Sequence, residues 1–141
     1  MPKHHFSFTV HIYDTDCYGV LWHGHYLRYL EHGRDEAVLS TGILLETQQE
    51  GGWLFPVREQ QIRYLQPCRL RDVVTVQTHV QQEGLRLQFV QQVWRCDAET
   101  HTPQQLAVEA STTCVVCDSQ FKPLRRLPVA LVQALQQLYP D

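Results

Sequence analysis

Residues 13–36 read Y-D-T-D-C-Y-G-V-L-W-H-G-H-Y-L-R-Y-L-E-H-G-R-D-E, and the reading of this stretch decides the fold. Two carboxylates, Asp14 and Asp16, close a strand-like run; Gly19 follows, then an apolar bridge from Val20 to Trp22. Upstream, Phe6, Phe8, Val10 and Ile12 alternate with Ser7, Thr9, His11 and Tyr13, the period of a half-buried strand. Downstream, Tyr26, Tyr29, Leu30, Gly33 and Ala37 recur at three- and four-residue steps, with Leu27 and Val38 widening the stripe. This spacing predicts a helix from about Gly24 to Ser40, ended by Thr41-Gly42. A mid-helix Gly costs up to about 1 kcal/mol against Ala. The position of Gly33 inside the apolar stripe therefore predicts very close packing on a sheet.

From Phe55 onward the chain reads as strand after strand. Phe55 to Leu65 is the least regular and stops at Gln66-Pro67. Val73 to Gln82 and Leu85 to Cys96 flank a hairpin turn at Glu83-Gly84, and Gln104 to Asp118 is long and β-branched. Inward faces are expected at Val74, Val76, Thr78 and Val80, at Leu85, Leu87, Phe89 and Val93, and at Leu106, Val108, Ala110, Thr112, Cys114 and Val116. Ile43 to Leu54 reads as a connection with a short helical turn before Gly51-Gly52. Pro128 opens a last helix, Val129 to Leu138. Strand, long helix, strand meanders and short helix make an α+β chain whose antiparallel sheet can wrap the long helix. At 141 residues, one domain with one core is expected.

Bulk chemistry narrows the function. A net charge of −3 argues against general nucleic-acid binding, which needs a strongly basic face. No window approaches the roughly 18 apolar residues of a membrane span. The first residues, M-P-K-H-H-F-S-F, lack the apolar core of a signal peptide, so a cytoplasmic location is expected. Five cysteines without secretory features argue against a disulfide framework. Cys114-x-x-Cys117 lies in a β-branched run, where an offset of three puts the thiols on opposite faces, unsuited to zinc or redox chemistry.

Acids crowded before a helix can cap a turn, which Asp does often, or sit as a base or nucleophile beside the positive helix end. The helix start at His23-Gly24 offers backbone N–H groups that the first turn leaves unpaired, with Gly24 allowing close approach of a substrate. His23, His25 and Glu31, spaced by two and six, do not stack on one helical face as an i, i+4 metal pair would, so no metal is expected. Glu31 and Arg34 form an i, i+3 pair that fits a surface or interface salt bridge.

The run Asp14-Thr15-Asp16-x-x-Gly19-Val20-x-x-His23-x-x-Tyr26, followed by Glu31 and Arg34, resembles the hot-dog-fold acyl-CoA thioesterases of the 4-hydroxybenzoyl-CoA thioesterase family, in the branch of the Tol–Pal-associated thioesterase. The similarity continues through Val57-Arg58, Tyr64-Leu65-x-Pro67, Arg69-x-x-Asp72 and the segment from Phe121 to Pro128. The resemblance implies a long central helix wrapped by a five-stranded antiparallel sheet, paired into a dimer or tetramer with active sites at the dimer interface. It implies hydrolysis of a thioester of coenzyme A, or of acyl carrier protein, without a cofactor.

By the same resemblance Asp16 matches the catalytic aspartate, and His23 matches the helix-start position whose N–H polarises the thioester carbonyl. Asp16 has two chemistries open to it, nucleophile and general base. Tyr18, Trp22, His25 and Tyr26 are expected around the acyl group. Lys122, Arg125 and Arg126 are expected at phosphate, with Arg58 a further candidate, because Arg forks suit phosphate. His25 stands where relatives often carry Asn or Ser, Tyr18 replaces a small residue, and Leu124 lengthens the F-K-P-R-R-L-P pattern by one. Short-chain, long-chain and aromatic acyl groups, dihydroxynaphthoyl among them, all stay open. So does a protein of this fold that binds a thioester or a protein partner without cleaving it. A dehydratase fits less well, since that chemistry places a catalytic His in a different helix motif.

Overall fold

The structure, a computed structural model, describes residues 4–44 and 53–140. Strand β1 (His4–Thr9) leads through a 3₁₀ turn at Ile12–Asp14 to helix α1 (His25–Ser40). Then come β2 (Val57–Tyr64), β3 (Val73–Glu83), β4 (Arg86–Cys96), β5 (Pro103–Val115) and a short helix, α2 (Val129–Leu135). The five strands form one sheet in the order β1-β3-β4-β5-β2, antiparallel throughout. The sheet edges are thus β1 and β2. The helical turn expected before Gly51-Gly52 lies outside the described residues.

Alternation decides which face is covered. Val74, Val76, Thr78 and Val80 of β3 are buried, as are Leu87, Phe89, Gln91 and Val93 of β4 and Val108, Ala110, Thr112 and Cys114 of β5. The first half of α1 covers one apolar cluster through Tyr26 and Leu30, which meet Val74, Val76, Val93 and Val108. Its second half covers another through Ala37 and Val38, where Leu131 and Leu135 of α2 join Val80, Leu87 and Phe89.

Between the two clusters lies a polar layer. The Gln91 side-chain amide donates to the Leu30 carbonyl at 2.9 Å and to Thr78 Oγ1 at 3.0 Å. Arg34 Nη1 donates to Gln91 Oε1 and Thr112 Oγ1, each at 3.3 Å. Gln60 Nε2 adds a bond to Thr112 Oγ1 at 3.0 Å. Gly33 sits over this layer: a Cβ there would stand 2.8 Å from Val76 Cγ1 and 3.1 Å from Gln91 Nε2. The expected close packing of helix on sheet is located at these two side chains.

Several sequence expectations change. Ile12 does not continue the inward face; the chain leaves the sheet after Thr9 and coils into the 3₁₀ turn, leaving Ile12 68% exposed. Leu27 lies outside the buried stripe, 46% exposed. The hairpin turn falls at Gly84-Leu85, since Glu83 still pairs with Arg86. Leu106 is only partly covered, because the register between β4 and β5 shifts at Val93/Trp94 and buries Ala107. Cys114 and Cys117 are both buried and unpaired, and β5 ends at Val115, so strand alternation does not govern Cys117. Arg34 turns into the polar layer, and no ion pair joins it to Glu31.

Gly33→Ala tests this packing. Helix propensity alone favours Ala by up to about 1 kcal/mol, but overpacking against the β-branched Val76 costs about 1–3 kcal/mol. A net loss of stability is expected in urea denaturation, with the midpoint lowered and the slope unchanged.

Candidate active site

The chain between β1 and α1 is tied by Asp14, which is buried. Its carboxylate accepts the His11 N–H at 2.9 Å, and its carbonyl accepts the Trp22 N–H at 3.0 Å. Burial and a hydrogen bond to Asp14 push the Tyr29 phenol up to about 12, and the Tyr29 ring stacks on Phe8 at 3.7 Å. Asp14 is a turn residue with a large share of the local order.

Asp16 lies two residues on, partly exposed. Its N–H donates to the Val20 carbonyl at 2.9 Å, and its carbonyl accepts from Gly19 at 3.1 Å. One carboxylate oxygen, Oδ1, accepts the Tyr18 N–H at 2.8 Å; among the described residues Oδ2 has no hydrogen-bond partner, so the second oxygen is free to act. The loop is pinned beneath by Leu21, whose N–H donates to the Cys68 carbonyl at 2.7 Å.

Helix α1 starts beside this loop. The His25 N–H returns to the Trp22 carbonyl at 2.9 Å, while neither His23 nor Gly24 donates its N–H to an acceptor among the described residues. Two adjacent free amides at a helix start are suited to a developing negative charge. A hollow of about 400 Å³ is lined by Asp16, Tyr18, His23, Tyr26, Tyr64 and Pro67, among others. Four of the sequence-predicted residues thus meet at one place: Asp16, Tyr18, His23 and Tyr26. Tyr26 is 3% exposed and forms the floor, its phenol pushed up by burial beside Cys68.

The remaining candidates lie elsewhere. Trp22 packs on Gly24, with ring contacts to His23 and His25 at 5.2 Å each. An added Cβ at Gly24 would stand 2.4 Å from that indole. The space expected to admit a substrate over Gly24 is filled by Trp22. Arg58 is the extra residue of a bulge at the start of β2, where the register shifts between Val57 and Glu59, and it is exposed. Lys122, Arg125 and Arg126 are exposed on a loop held by Asp118, whose Oδ1 accepts the N–H groups of Gln120 and Lys122 at 2.8 and 3.0 Å. None of these four lines the hollow at Asp16. Among the described residues no three His, Cys, Asp or Glu side chains converge as a metal site.

Two features have no role assigned from the sequence. Tyr64, at the end of β2, donates its hydroxyl to the His23 carbonyl at 3.1 Å; the run Tyr64-Leu65-x-Pro67 marks the family resemblance but gives no sign of that partner. A second hollow, about 550 Å³, opens along α1 toward the start of β2 and is lined by Arg28, Glu31, Arg34, Phe55, Val57 and Phe89, among others.

An acid set beside helix-start amides that are unpaired among the described residues, in a hollow lined by aromatic rings, brings together the kinds of group that acyl transfer uses. The chain belongs to the thioesterase-like superfamily, whose family model matches residues 10–135. It is 27% identical over 135 residues to the acyl-CoA thioester hydrolase YbgC of Escherichia coli, covering 94% of this chain and 96% of that protein. It is 32% identical over 126 residues to a putative esterase of Synechocystis, covering 88% and 73%. In fold it matches the crystal structure of a 1,4-dihydroxy-2-naphthoyl-CoA thioesterase from Synechocystis with a TM-score of 0.82 at 20% identity, over 98% of this chain and 99% of that one.

The helix-start geometry makes its own prediction. The Gly24 backbone, with φ −68° and ψ −27°, suits any residue, so the indole alone requires glycine. Gly24→Ala is expected to cost about 1–3 kcal/mol by overpacking. Most of that loss should disappear in the Trp22→Ala background, as read by a double-mutant cycle in chemical denaturation.

Proposed function

We propose that the protein is an acyl-CoA thioesterase, with an acyl carrier protein thioester as the other carrier its site admits. The observation that carries this reading is the hollow lined by Asp16 and His23, at a helix start whose His23 and Gly24 N–H groups have no acceptor among the described residues. The acyl-CoA activity named for the Escherichia coli relative, aligned over nearly its whole length, supports it.

In this reading the thioester carbonyl oxygen faces the His23 and Gly24 amides, which stabilise the negative charge formed as the carbonyl carbon becomes tetrahedral. Asp16 acts in one of two ways. As nucleophile its oxygen bonds to the carbonyl carbon, the C–S bond breaks, the sulfur leaves as thiolate and takes a proton from water, and a water molecule then cleaves the resulting anhydride. As general base it takes a proton from water, and that water forms the new C–O bond while the thiol departs. Both end in a free acid and a thiol, and neither draws on a cofactor.

The rest of the reading concerns assembly and binding. The long helix α1 serves as the centre about which the sheet wraps, and one domain carries the function. β2 is an edge strand, with no strand on its outer side among the described residues. Antiparallel pairing of β2 with a second copy would set the start of one β2 beside the end of the other. The 550 Å³ hollow of one subunit would then lie near Asp16 of its partner, giving a dimer, or a tetramer of two dimers, with sites at the interface. Tyr18, Trp22 and His25 border the acyl group there. Lys122, Arg125 and Arg126, with Arg58 in support, meet the phosphates of coenzyme A, since they are exposed cations with no ion pair among the described residues. None of the described helices is long and apolar enough to cross a membrane; we place the protein in the cytoplasm.

The decisive experiment is thiol release from a panel of aliphatic and aromatic acyl-CoA and acyl-carrier-protein thioesters. Asp16→Asn should lower kcat by about 10²–10⁴ with an unchanged Tm. Wild-type rates in that variant would sink the assignment of Asp16, and no cleavage of any thioester would favour a binding protein of the same fold. Sedimentation equilibrium should give the mass of two or four chains; a monomer that still turns over would remove the interface from the site.

A further inference from the structure

The hydroxyl of Tyr64 reaches across 41 residues of sequence to the His23 carbonyl oxygen at 3.1 Å. Its ring stands edge-on to Tyr26 at 5.4 Å and to His23 at 6.3 Å, so the hydroxyl is aimed by packing on two sides. The carbonyl it holds and the Gly24 N–H belong to one planar peptide unit. Fixing the oxygen therefore fixes the direction of the N–H at the other end. A hydrogen bond accepted by the oxygen also polarises the unit and makes its N–H a better donor. At the α-carbon that follows this peptide the Trp22 indole fills the place of a Gly24 Cβ. The unit is gripped at its oxygen by the end of β2 and over its α-carbon by the residue before it. Burial raises the Tyr64 phenol above its ordinary value, which keeps the proton in place through neutral pH.

We propose that Tyr64 is a positioning residue for thioester hydrolysis, acting through the His23 carbonyl to set the Gly24 N–H as a donor to the developing oxyanion. The proposal rests on the reading of Asp16 and the His23–Gly24 amides as the active site. It gives β2 a role in the chemistry: its last residue orients the helix-start amide, so the sheet edge and the helix start act together.

The test uses Tyr64→Phe, which keeps the ring and removes the hydroxyl, alongside Asp16→Asn. Butyryl-, decanoyl-, palmitoyl- and benzoyl-CoA are assayed, and the one the wild type cleaves fastest is used. Removing an oxyanion donor outright costs about 10²–10³ in kcat, so loss of its positioning bond is expected to cost about tenfold. KM and Tm should stay at wild-type values. In ¹⁵N-labelled protein the Gly24 amide resonance should move, because the carbonyl before it has lost a hydrogen bond. Tyr139→Phe removes another tyrosine hydroxyl, the one bonded to Gln82, and should leave both kcat and the Gly24 resonance alone.

An unmoved Gly24 resonance overturns the proposal. So does a wild-type kcat for Tyr64→Phe where Asp16→Asn is inactive, and so does a fall in kcat that comes with an equal rise in KM or a drop in Tm. Full activity of Asp16→Asn is a different result: it removes the site itself, and the proposal with it.

Discussion

Everything in this fold depends on how close α1 comes to the sheet at Gly33. With no side chain at that point, the helix backbone descends onto Val76 and Gln91, near enough for the Gln91 amide to reach the Leu30 carbonyl. That bond uses a main-chain oxygen inside a helix, so it fixes the rotation of α1 as well as its height. A buried side-chain amide left unpaired would cost about 1–3 kcal/mol. The partners supplied by Thr78, Leu30 and Arg34 make the polar layer an anchor between two apolar clusters. Apolar packing alone would tolerate a helix slid by a fraction of a turn; these directional bonds do not.

The helix start inherits this placement. Once α1 is fixed at Gly33, its first turn lies over Cys68 and beside the end of β2, and the chain from β1 must reach it in the fifteen residues from Val10 to Gly24. Asp14 makes that connection compact by bonding to the 3₁₀ turn before it and the Trp22 amide after it. The consequence is that Asp16, on the loop, and His23, on the helix start, come to line one hollow. Asp14 and Asp16 thus differ in their surroundings: the buried one holds the loop, and the partly exposed one keeps a carboxylate oxygen without a hydrogen-bond partner among the described residues.

Periodicity made α1 and the strands legible, because burial on one face imposes a repeat that sequence displays directly. It failed where the chain left the repeat without changing composition. Ile12 is as apolar as Val10 yet is exposed where Val10 is buried, since the chain coils into a turn at Ile12 where the alternation implies continued strand. It failed again at Gln91 and Arg34, polar residues that face inward because they find each other across 57 residues. Pairings of that kind leave no local trace. The hollow divides along the same line: Asp16, His23 and Tyr26 are close in sequence and legible as one motif, while Tyr64 belongs to a separate run on another strand whose contact with His23 the sequence does not display.

In the proposed function, charge stabilisation falls to backbone groups, and the same division accounts for it. Among the described residues no lysine or arginine lines the hollow at Asp16, and Lys122, Arg125 and Arg126 stand on a separate exposed loop. A cation beside Asp16 would pair with the carboxylate and occupy the oxygen to which the proposed function gives the reaction. Helix-start amides are too weakly charged to capture the carboxylate in that way, yet they gain in strength when water is excluded and a full negative charge forms on a carbonyl oxygen. Their value depends on direction, and direction is what α1 provides: seated by Gly33 and bonded to Tyr64, the His23–Gly24 peptide keeps its orientation before any substrate arrives.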